Sequence, residues 1–168
     1  MDEFRAAASD YCELFETARR LGSERFLIAL ARTLPRLQAA AVQLSLQRPD
    51  EEEWPDLRLS LEEIQIIGGP VHDVLAEVDW GRIEDDLRES SLEDRPRPLG
   101  QIAHFLYDDL ADIYGDLKPG FRRIESGGPG AEREAFWEWR LYFWSHWGYH
   151  NAEALRVIHY YVALYLDG

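Results

Sequence analysis

The chain has one cysteine and one lysine, few basic residues and no long apolar run, and each scarcity excludes a class of protein. A lone cysteine, Cys12, can neither close an internal disulfide nor build a thiolate metal cluster. Its place between Tyr11 and Glu13 in a helical pattern predicts a buried, inert thiol. Eighteen basic residues stand against 32 acidic ones, and the basic residues never cluster beyond the pairs Arg19-Arg20 and Arg122-Arg123. Binding to a phosphate backbone needs clustered cations, so nucleic acid is not an expected partner. The start, Met1-Asp2-Glu3-Phe4-Arg5, lacks the cationic and apolar blocks of a signal peptide, and no segment approaches about 18 apolar residues. These features predict a cytoplasmic protein with no membrane partner. Lys118 is the only lysine beside seventeen arginines, a bias expected of a GC-rich bacterial genome.

Enzyme signatures are also missing. The chain has no glycine-rich phosphate loop, no Gly-x-Ser-x-Gly elbow and no His-Glu-x-x-His. Ser145 and His146 are adjacent, and adjacent helical side chains point about 100° apart, so they do not form a nucleophile–base pair. Glu62-Glu63-Ile64-Gln65-Ile66 supplies too few carboxylates for an acidic motif of the all-α nucleotide pyrophosphatases.

What is present is a strongly helical pattern. The 168 residues suit one domain able to bury roughly 70% of its unfolded surface. Phe4, Ala8, Tyr11, Phe15 and Ala18 alternate at spacings of four and three over residues 2–21, with Gly22 as a stop. A second helix, capped by Ser23, carries Phe26, Leu27, Leu30, Leu34, Leu37, Ala41 and Leu44 on one side to about residue 46, with a kink expected at Pro35. Ser60-Leu61-Glu62-Glu63 is a capping box opening a short helix expected to stop near Gly68-Gly69-Pro70, after which Val71 to Trp80 either resumes as helix or ends in a turn. Residues 47–59 and 81–100 read as surface connectors. Helical periodicity returns over 102–118, where Pro119-Gly120 is expected to end it, and again over 131–166, as one long helix or two broken at Gly148. The fold class is therefore all-α, an antiparallel bundle of four to five helices with a long C-terminal helical segment.

The most unusual stretch is residues 136–150, which hold four of the six tryptophans and two of the five histidines. His146, His150 and Glu153 share one helical face, because steps of four and three return near the same direction. Two imidazoles one turn apart are a recurring way to hold a divalent metal, with further ligands from a facing helix. A second constellation runs Asp108-Asp109-Leu110-Ala111-Asp112-Ile113-Tyr114-Gly115-Asp116-Leu117-Lys118. Asp109 and Asp116 border the apolar face formed by Leu106, Leu110, Ile113 and Leu117, and Asp112 lies further out. Such carboxylates can ligate a metal or orient His146 and His150; the alternative is a solvated acidic face with Asp109 or Asp116 paired to Arg140 or Arg156. His104 suits a local pair with Asp108, His159 a packing or capping role, and His72 is a candidate third imidazole. Gly148, between the two histidines, suggests close approach of another backbone, a bound group or the ring of Trp54 or Trp80.

The acidic motif, the tryptophan-rich lead into His146-Trp147-Gly148-Tyr149-His150, and Ala154-Leu155-Arg156-Val157-Ile158-His159 together resemble the domain-of-unknown-function family numbered 5063. That resemblance implies a small helical bacterial protein of the cytoplasm and brings no activity with it. His146, His150 and His72 are also similar in placement to the three histidines that hold a divalent metal in DinB-like bundles, although the acidic motif is not part of that pattern.

Two functional readings follow. In the first, the protein is a non-catalytic interaction module whose aromatic and acidic surface meets a protein partner with a basic surface. In the second, it is a bundle that binds a divalent metal through His146 and His150, with Asp109, Asp112, Glu153 and His72 as further candidate ligands.

Overall fold

The computed structural model describes residues 1–45, 55–82, 85 and 102–165. Its helices are α1 (Asp2–Glu16), α2 (Ala18–Leu21), α3 (Ser23–Val42), α4 (Leu61–Ala76), α5 (Ile102–Ser126), α6 (Ala131–Tyr142) and α7 (Gly148–Tyr165). A π-helical turn, Phe143–Trp147, joins α6 to α7. The described residues contain no strand. The architecture is the expected all-α antiparallel bundle, with α1, α3, α4, α5 and the continuous α6–α7 segment as its long members. Glu138, Trp139, His146 and His150 meet Arg123, Leu117, Asp116 and Asp109 in turn, so the C-terminal segment runs antiparallel to α5. The Glu63–Arg122 and His72–Tyr107 contacts set α4 antiparallel to α5 in the same way.

The apolar positions picked out by spacing form the core. Phe4, Ala8, Tyr11, Phe15 and Ala18 are buried, as are Phe26, Leu27, Leu30, Leu34, Leu37, Ala41 and Leu44. From α5 come Leu106, Leu110, Ile113 and Leu117, and from the C-terminal segment Phe136, Trp139, Phe143, Trp147 and Val157. The polar ends of three buried aromatics are satisfied by backbone. Tyr11 donates to the Leu110 carbonyl at 2.7 Å, Trp139 Nε1 to Leu117 at 2.8 Å and Trp147 Nε1 to Trp139 at 3.0 Å. Burial also pushes the Cys12 thiol far up, which makes it the inert core residue expected.

Several helix boundaries differ from those expected. The first helix breaks at Thr17, whose hydroxyl donates back to the Glu13 carbonyl at 2.7 Å and leaves α2 as a separate turn. The capping box is present, with Ser60 Oγ accepting from the Glu63 amide at 3.2 Å and the Ser60 amide donating to Glu63 Oε2 at 2.8 Å. Yet α4 passes through Gly68-Gly69-Pro70 to Ala76. Gly68 is there for packing: a Cβ would lie 2.8 Å from the Tyr107 hydroxyl and 3.1 Å from Phe15. Likewise α5 continues past Pro119-Gly120 to Ser126, with Gly120 pressed against the Trp139 indole. Trp54 lies outside the described residues, and Trp80 packs on Tyr161. The neighbour of Gly148 is the carbonyl and ring of Phe143, drawn close by the wide π turn whose bond runs from the Gly148 amide to the Phe143 carbonyl. The connector at 81–100 also lies almost wholly outside the described residues.

Phe143 is 4% exposed, with its ring centroid 4.9 Å from that of Trp147. Phe143→Ala is expected to lower unfolding free energy by about 3–5 kcal/mol, measured by denaturant titration.

Candidate metal centre

Two polar stripes face each other across the contact of α5 with the C-terminal segment. Asp109, Asp112 and Asp116 sit at steps of three and four on α5, flanking its apolar face. His146 lies in the π turn, and His150 lies in the first turn of α7. Helical periodicity brings each set to one side, and packing of Leu110, Ile113 and Leu117 against the tryptophan core brings the sets together.

Each imidazole is held through Nδ1. His146 Nδ1 lies 2.7 Å from Asp116 Oδ2, and His150 Nδ1 lies 2.8 Å from Asp109 Oδ1. An ionised carboxylate has no hydrogen to give, so the ring nitrogens donate. This orientation leaves Nε2 of each ring for another partner, and His150 Nε2 is 3.4 Å from Asp112 Oδ2. The two rings meet edge to face at a centroid distance of 4.8 Å. Asp112, His146 and His150 each offer one ligand atom, and these three atoms all lie within 4.8 Å of one another. Around a tetrahedral ion with bonds of about 2.1 Å, ligand atoms lie about 3.4 Å apart, so side-chain movements of up to roughly 1.5 Å would close the set.

The site is wet on one side and dry on the other. The Asp109 side chain is 2% exposed, while those of His146 and Asp112 are 46% and 43% exposed. The hydrogen bond that His150 donates to Asp109 raises the pKa of His150 above its ordinary 6.5, an effect partly offset by burial and reinforced by the charge of Asp112. Burial raises the carboxyl of Asp116, against the opposing effect of its bond to His146.

The remaining candidates fall elsewhere or in supporting places. Asp109 stands behind His150 rather than with the three converging atoms. Glu153 accepts from Arg156 at 3.1 Å and is outside that group. His72 is exposed on α4, edge-on to Tyr107 with centroids 5.6 Å apart, and is likewise outside it. His104 makes the expected local contact with Asp108 at 3.4 Å. Arg140 donates to the Leu44 carbonyl and Arg156 to Glu153, while Asp109 and Asp116 take the histidines. Asp116, named from the sequence as a carboxylate able to orient the histidines but left out of the candidate ligand set, holds His146.

Comparison with known proteins agrees with this architecture. The crystal structure of protein BF1032 from Bacteroides fragilis superposes with a TM-score of 0.74 at 22% identity, over 98% of this chain and 91% of that one. At that identity the likeness establishes the fold. No curated protein matches the chain. The family described as "Domain of unknown function (DUF5063)" matches residues 1–164, nearly the whole sequence. The chain belongs to the DUF5063 family.

Proposed function

We propose that this protein binds a divalent transition metal through Asp112, His146 and His150. The observation that carries the reading is the convergence of one ligand atom from each residue within 4.8 Å, with both Nδ1 atoms bonded to carboxylates. Carboxylates behind ligating histidines fix the tautomer and raise ligand basicity, which is the support a metal-binding imidazole requires. Two imidazoles and one carboxylate suit zinc, nickel, iron or manganese, and three protein ligands leave positions for water or a substrate. Half of the aromatics of residues 136–150, namely Phe136, Trp139, Phe143 and Trp147, are core residues and are not available to a partner.

Titration calorimetry of untagged protein with zinc, nickel and manganese tests this, with one equivalent bound as the expected result. The pH dependence adds a sign. A metal needs neutral imidazoles, and the pKa of His150 is raised, so affinity should begin to fall at a pH above 6.5 as the solution is acidified. The metal-free protein should move the other way. The His150–Asp109 pair stabilises it fully below about 6.5, and this contribution is lost as pH rises through the raised folded-state value. Silence with all three metals would remove the proposal.

The interaction reading keeps one specific support. Leu141, Trp144 and Tyr149 are exposed at 40%, 63% and 66%, and the net charge of −14 suits a basic protein partner. A basic partner captured by the wild type and lost on Trp144→Ala would favour it.

A further inference from the structure

A second cleft, of about 430 Å³, lies between residues 55–58, α5 and α6. Two arginines line it, and each is matched by its own carboxylate. Arg58 binds Asp56 through Nε at 3.0 Å and Nη2 at 2.8 Å, and Arg123 binds Glu138 at 3.1 and 2.9 Å. The cleft also holds Asp116 and Glu134, so four carboxylates face two guanidinium groups. Asp116 is engaged by His146. Glu134 is different. It is 7% exposed, lines the cleft, and its buried Oε2 has no hydrogen-bond partner.

A buried carboxylate oxygen without a donor is costly, and the group either takes up a proton or receives a donor from outside the chain. Burial, followed by the nearby charge of Glu138, pushes the Glu134 carboxyl up, as expected of an acceptor short of a donor. The surplus of negative charge over the arginines selects against an anion. Tyr142 adds an aromatic wall, a surface that cations favour.

We propose that this cleft binds a small organic cation, a primary amine or a guanidinium compound, whose N–H groups donate to Glu134. Four features point the same way: a cleft of small-molecule size, excess carboxylate, an unmet acceptor nine-tenths buried, and a tyrosine in the wall. The proposal is independent of the metal centre, since Glu134 takes no part in it.

The test titrates the full chain with n-butylamine and agmatine, using sodium acetate and inorganic phosphate as anionic probes, and follows binding by NMR. Saturable binding of at least one amine is expected at about 0.1–1 mM. Glu134→Gln should weaken it at least about tenfold, because the amide removes the charge but keeps the shape. Zinc binding, measured in parallel, should be unchanged by that substitution, so failure here and failure of the metal centre are separable. In wild-type protein the carbon-13 shift of the Glu134 carboxyl should report a lower pKa when amine is added, a readout that survives even if the variant does not fold. Neither amine saturating, phosphate binding in their place, equal affinity in the variant, or a Glu134 pKa indifferent to amine would each overturn the proposal.

Discussion

Protein carrying alanine at both His146 and His150 is expected to take up no zinc, nickel or manganese and to lose any rise in Tm on adding them. At free metal near 100 times Kd, the wild type should gain about 2.7 kcal/mol. That corresponds to roughly 5–10 °C for a domain of this size. The variant retains one of three ligands, so the gain disappears. The single substitutions should separate in the absence of metal. His150 donates to Asp109, which is 2% exposed, and removing the imidazole leaves a buried carboxylate short of that donor. A cost of about 1–3 kcal/mol is expected. The His146 side chain is 46% exposed, and its alanine variant should stay within about 0.5 kcal/mol of wild type. Calorimetric melting with and without metal, beside elemental analysis of untagged protein, reads both effects. A wild type indifferent to metal with a destabilised His150→Ala variant would make the imidazoles structural partners of the aspartates.

Much of this site was legible because helical periodicity is a local property. The steps from His146 to His150 and from Asp109 to Asp116 place each set on one side of its helix, and both sets border apolar stripes that had to be buried. Opposing polar stripes on packed helices then meet. The pairing of Asp116 with His146 was less legible, because it depends on where the π turn at Phe143–Trp147 sets the ring, and no spacing rule announces a wide turn. His72 illustrates the opposite limit. Its relation to the other histidines is decided by how α4 docks on α5, through contacts such as Glu63–Arg122 and Gly68 against Tyr107.

The glycines and prolines misled for a related reason. Gly68-Gly69-Pro70 and Pro119-Gly120 have the composition of stops, and both lie inside helices. The cost of a glycine or proline in a helix is about 1–3 kcal/mol, which tertiary packing can exceed when a large ring needs the space. Tyr107 at Gly68 and Trp139 at Gly120 are such rings. The pattern is visible only when both partners are known.

Gly120→Ala should therefore be among the most damaging single-methyl additions in the molecule. A Cβ at Gly120 would lie within 2.5 Å of three atoms of the Trp139 indole, closer than any real contact. Trp139 cannot easily yield. It is fully buried, with ring centroids 5.3 Å from Phe4, 5.0 Å from Phe121 and 5.1 Å from Phe136, and its Nε1 donates to the Leu117 carbonyl. Overpacking of a rigid core costs about 1–3 kcal/mol, and the upper end is expected here, a fall in Tm of roughly 6–12 °C. The damage should reach the histidines. Trp147 donates to the Trp139 carbonyl and sits next to His146, so displacement of α6 from α5 pulls His146 away from Asp116. Metal affinity should fall along with stability, although Gly120 touches no ligand. Gly69→Ala is the milder comparison: beyond its chain neighbours the added methyl meets nothing within 4 Å, and the helical preference for alanine is offset by the crowding that Pro70 imposes on a preceding side chain, so stability should change far less than in Gly120→Ala, with metal affinity unchanged. Thermal melts and zinc titrations of the two variants decide the matter, and a Gly120→Ala protein as stable as wild type would mean that the Trp139 ring has room the packing does not show.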